Sequence, residues 1–162
     1  MEEFQELREM AKKKISIADH ILTQTYPLVE DPKVLLAVME NLFLAATNSM
    51  ASILSWERLF KRIPPYQDNF DSKYNMFRTK IAPKHNLDAK SLDMVIEVKD
   101  ILIKHRQSPV EFTRKDKFVI CDEDYKMKTV HLEDIKAYIE SARTLVKLAE
   151  SVTAQNEEIF ND

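Results

Sequence analysis

Glycine is missing from all 162 positions of the chain, although ordinary usage of about 7% would place roughly 11. Loops that cradle phosphate, dinucleotide-binding turns and the strained turn that presents a hydrolase serine all need glycine where a Cβ would clash. Those chemistries are excluded, together with calcium loops of the EF-hand kind. Cysteine is nearly absent as well. Cys121 alone can close no internal disulfide and cannot found a multi-cysteine zinc site. Neither sign of charge dominates: a formal net charge of −3 sits on a chain that is 31% charged, which suits neither a polyanion coat nor a disordered chain. The longest strongly apolar stretch, 34–46, is interrupted by Glu40 and Asn41 and falls short of the roughly 20 residues that cross a bilayer. The opening MEEFQELREMAKKK alternates charge too densely for a secretory leader. A soluble cytoplasmic protein is expected. At 19.0 kDa it should form one domain over residues 1–162, large enough to bury a core without staples.

What is present reads as helix nearly throughout. Phe4, Leu7, Ala11, Ile15, Ala18 and Leu22 recur at spacings of three and four, giving a first helix that Pro27 should stop. Asp31 then caps a second helix with Pro32 at its first position, where a missing N–H costs nothing. It can run to about Arg62, before Pro64-Pro65, a length of roughly 45 Å. Its apolar residues fall on more than one stripe, as expected of the central helix of a bundle. The small residues Ala45, Ala46, Ser49, Ala51 and Ser52 suit close approach of a neighbouring backbone more readily than a pocket. Asn69 or Asp71 can cap a short third helix ending at Pro83, and Asp88 opens a fourth that Ser108-Pro109 closes. Phe118–Cys121 and Met127–Val130 then read as a small hairpin, followed by a last amphipathic helix from Leu132. The expected fold is all-α: a single-domain bundle of four long helices plus one short helix, with a small β-hairpin before the last helix.

Two stretches, FKRIPPYQDNFDSKYNMFRTKIAP and SPVEFTRKDKFVICDEDYKMKTV, resemble a set of archaeal proteins of unestablished function over about residues 12–148. More distantly, the long-helix arrangement resembles the HEPN class of helical bundles. That resemblance implies RNA-cleaving or nucleotide-associated proteins, often homodimers. HEPN nucleases carry an arginine followed a few residues later by a histidine, and here Arg78 and His85 stand with six residues between them. By that resemblance Arg78 would bind the scissile phosphate and His85 would move the 2′-hydroxyl proton without a metal. Thr79 stands where the family usually has Asn, Asp or His, and Pro83 falls between the pair. The plainer reading is a surface arginine and a loop histidine.

The other histidines, His20, His105 and His131, form no metal set. Cys121, in an apolar run, reads as a buried structural thiol. Charge is unevenly spread. Residues 56–90 carry eight Lys or Arg against four acids, whereas residues 131–162 carry seven acids against three bases. Tyr66, Phe70, Tyr74 and Phe77 interleave with the basic part; the last three share a helix face that should turn into the core. Arg106, Arg114, Lys115 and Lys117 add a second cluster. The favoured function is therefore a non-enzymatic interaction module, expected as a homodimer. It would present Arg58, Lys61, Arg62, Lys73, Arg78, Lys80 and Lys84 to an anionic partner, an RNA or a nucleotide, or to a protein. The alternative is a HEPN-type metal-independent ribonuclease using Arg78 and His85. No cofactor, metal or membrane contact is expected.

Overall fold

The computed structural model describes residues 1–108, 110–114, 116–121 and 124–155. Helix α1 spans Glu3–His20 and opens on a reciprocal cap, in which Glu2 and Gln5 each accept the other's backbone N–H. Pro27 does not stop it. The chain passes through one π turn, Ile21–Thr25, into a final helical turn, Tyr26–Val29. The physical reason is the wider turn: Tyr26 N–H reaches back five residues to the Ile21 carbonyl, making room for a ring that an ordinary helix would push into the preceding carbonyl. The helix ends at Glu30, in a left-handed conformation with its N–H on the Tyr26 carbonyl.

Asp31 caps helix α2, Pro32–Leu59, by accepting the Lys33 N–H at 2.9 Å. This helix stops short of Arg62 because a Schellman turn closes it. Arg62 N–H bonds the Glu57 carbonyl, Lys61 N–H bonds the Arg58 carbonyl, and Lys61 takes the left-handed position that glycine usually fills. Asn69 caps the short helix α3, Phe70–Met76. A second π turn, Phe77–Ile81, follows it and again precedes a proline, Pro83, which starts a short 3-10 turn ending at His85. Asp88 caps α4, Ala89–Gln107, as its sequence predicts.

The expected hairpin is present as β2, Lys117–Cys121, and β3, Met127–His131, and a further strand, β1, Val110–Arg114, flanks it. The sheet order is β1-β2-β3, antiparallel throughout, with Phe118 opposite Thr113 on one side and Val130 on the other. Helix α5, Leu132–Thr153, completes the chain. Helical residues exceed two-thirds of the whole, so the all-α reading holds at that level.

Helix α2 is the axis of the bundle, packed along α1 and α5 and crossed by α4. By length and composition Lys33–Leu59 is apolar enough to cross a membrane, but its apolar residues feed the core. Leu35, Met39, Leu42, Ile53, Leu54 and Trp56 are all fully buried there. The small-residue run packs tightly. Ala11, Ala45 and Val146 meet where α1, α2 and α5 converge, and Ser52 Oγ donates to the Phe4 carbonyl at 2.7 Å. Phe118, Ile120 and Val130 carry the sheet into the same core, which gives three short strands the support they lack alone.

Candidate anion-binding cleft

Three of the seven predicted cations converge. Arg58 from the last turn of α2, Lys61 from the Schellman turn and Lys73 from α3 line one open cleft of about 620 Å³, with Tyr66 in its wall. The Arg58 guanidinium lies 5.3 Å from the Tyr66 ring centroid, within cation–π range. Partial burial pushes the Tyr66 phenol up, while Arg58 and Lys73 pull it back down. Acids share the cleft. Lys73 Nζ pairs with Asp68 at 2.6 Å and holds that carboxyl below its ordinary range, and Glu2 and Glu3 close the rim. A wall with both signs of charge and an aromatic face can take phosphate oxygens, a base and an exocyclic amine at once.

Arg62 and Lys84 face a different partner. Glu57, one turn from the end of α2, is 1% exposed. Its Oε1 accepts from Lys84 Nζ at 3.2 Å, and its Oε2 lies 3.9 Å from Arg62 Nη1. Arg62 also covers the Trp56 ring at 4.7 Å from its centroid. These two cations are engaged by a buried carboxylate and tie the end of α2 to the 3-10 turn. They form a latch, with less charge left for a ligand than a linear count of basic residues implies.

His85 sits beside that latch. Burial first, then the Lys84 charge, lowers its pKa against an opposing pull from Glu57, so the imidazole is neutral near pH 7. Its Nε2, the Trp56 indole nitrogen and Glu57 Oε2 are buried without hydrogen-bond partners among the described residues. Arg78 and Lys80 are exposed on the π turn after α3, and among the described residues Arg78 makes no hydrogen bond or ion pair with His85.

Phe77 is fully buried, and Phe70 and Tyr74 are half-buried and stacked at 5.7 Å, so the predicted aromatic face belongs to the core. Tyr66 alone of the four rings lines the cleft. Of the second basic cluster, Arg106 and Lys117 are exposed, and Lys115 lies outside the described residues. Cys121 is half-buried at the end of β2 rather than fully enclosed. His105 meets Glu111 of β1 just past the end of α4. Sequence reading missed Glu57, Glu2 and Glu3 as neighbours of the cations. A signal for Glu57 was available: it follows Trp56 on a helix buried around most of its girth. No family model, curated protein or solved structure matches the chain.

Proposed function

We propose that this protein is a cytoplasmic, non-enzymatic helical-bundle module that binds single-stranded RNA. Its contact site is the cleft of Arg58, Lys61, Lys73 and Tyr66, and Arg78 and Lys80 contact neighbouring phosphates. The observation that supports this reading most directly is the convergence of three cations and one aromatic ring on a single open cleft. Phosphates would be held by Arg58 and Lys61, and a base would stack on Tyr66. The acids in the same cleft and the net charge of −3 keep the affinity modest.

Homodimerisation is part of the proposal, and α4 offers the surface for it. The apolar stripes of α1 and α5 are covered within one chain. Ile96 and Ile103, one heptad apart on α4, remain 43% and 39% exposed and suit a symmetric helix-to-helix contact. Light scattering at tens of micromolar reads this directly, and a monomer near 19.0 kDa removes the dimer.

The test of RNA binding is fluorescence anisotropy with a mixed-sequence single-stranded RNA. Binding should weaken steeply between about 50 and 200 mM salt as counterions are released. Arg58→Glu with Lys61→Glu should weaken it about tenfold or more on every sequence, and His85→Ala should leave it intact. RNA cleavage that disappears in His85→Ala and Arg78→Ala would instead establish the HEPN-type nuclease. No binding at about 100 μM protein in low salt rejects both readings.

A further inference from the structure

A second cleft, of about 590 Å³, lies between the π turn that follows α1, Asp116 just before β2, and the first half of α5. Its size falls within the roughly 300–1,000 Å³ of small-molecule sites. The floor is apolar, formed by Leu22, Tyr26 and Ile139, which are 7%, 4% and 2% exposed.

The rim carries carboxylates in two groups. At one end Asp116 and Glu30 both act electrostatically on Tyr26, whose hydroxyl donates to Asp116 Oδ1 at 3.4 Å. At the other end Asp19 and Glu140 are bridged by Arg143, at 2.5 and 2.6 Å. Among the described residues Lys136 is the one cation that lines the cleft, and it also pairs with Glu133 at 3.3 Å. Setting Arg143 and Lys136 against these four carboxylates and Glu133 leaves negative charge in excess by three around an apolar floor.

That arrangement selects among ligand classes. An anion is repelled by the rim. A neutral apolar molecule would desolvate carboxylates without pairing them. A divalent metal needs converging oxygens, whereas these carboxylates stand in two groups, and among the described residues no three His, Cys, Asp or Glu side chains are placed to hold a metal ion. What remains is a cation with charge at both ends and methylenes between.

We propose that this cleft binds a linear aliphatic polyamine, with one ammonium at Asp116 and Glu30, another towards Asp19 and Glu140, and the methylene chain lying over Leu22 and Ile139. The site is independent of the RNA-binding cleft and stands or falls without it.

The test is calorimetric titration of the full chain with spermidine at fixed ionic strength. One-to-one binding is expected. Glu30→Gln with Asp116→Asn should weaken it about tenfold or more. Thr23→Trp, at an exposed position on the lip of the cleft, should abolish binding by filling the space while every carboxylate remains. Hexane-1,6-diol, which has the methylenes without the charges, should not bind. Spermidine binding that is equal in wild type and Thr23→Trp, or that magnesium ions at matched charge displace equally well, overturns the proposal and leaves only a diffuse acidic surface. Circular dichroism of each variant establishes that it is folded.

Discussion

The latch at Glu57 makes a prediction about non-additivity. Arg62 and Lys84 have side chains 42% and 50% exposed, whereas the Glu57 side chain is 2% exposed. Removing one cation leaves the other beside the carboxylate, so Lys84→Ala should cost no more than about 1 kcal/mol, as for other solvent-screened pairs. Arg62→Ala should cost about 1 kcal/mol in all, part of it because its guanidinium also covers Trp56. Removing both strands a carboxylate in the interior, and that situation costs about 3–5 kcal/mol. The double variant should therefore lose clearly more than the sum of its parts. With a urea slope of about 2 kcal/mol per molar, its unfolding midpoint should fall by roughly 1.5–2.5 M. Adding Glu57→Gln should return most of that loss, since nothing charged is then left buried. Equilibrium urea unfolding of the four variants closes the cycle. Additive single effects, or no recovery on adding Glu57→Gln, would refute the reading of Glu57 as a buried carboxylate held by two surface cations.

Two further outcomes follow from the same structure. His85 is held below its ordinary pKa of about 6.5 by burial and by Lys84. The unfolded chain therefore takes up a proton more readily, and stability at this residue falls as pH drops below that value. The wild-type urea midpoint should be lower at pH 5.5 than at pH 7.5, and His85→Gln should flatten the difference; an unchanged slope excludes His85 as its source. At the seam of α1, α2 and α5, Ala45 is fully buried against Ala11 and Val146, so Ala45→Leu should cost about 1–3 kcal/mol by overpacking. A Tm within about a degree of wild type would mean that the seam has slack.

The helix starts were legible because each is written in one residue: Asp31, Asn69 and Asp88 all accept a backbone N–H in the first turn that follows. The ends were legible in part. Helix α4 ends at Gln107, next to Ser108, and the run through the second π turn stops at Ile81, before Pro83, as expected, whereas Pro27 stops nothing because the π turn before it removes the conflict. The end of α2 was hidden for a related reason, since the left-handed residue there is Lys61 and no glycine announces it. Strand β1 carries the alternation Val110, Glu111, Phe112, Thr113, but five residues next to Ser108-Pro109 read equally well as a loop. The basic stretch was visible as composition. Its division into the cleft cations and the pair held by Glu57 was not, because that depends on which helix face is interior. The cleft between α1 and α5 was invisible, since Glu30, Asp116 and Glu140 come to line one space only after the chain has folded.

The left-handed backbone at Lys61 sets fold robustness against ligand contact at a single position. A residue with a Cβ is held there at a cost of about 1–2 kcal/mol, and its ammonium is one of the three cations that line the cleft beside Tyr66. Glycine at position 61 would relax the turn and remove that cation in one step. Selection for heat resistance alone would accept this exchange, whereas any ligand that needs the ammonium would oppose it.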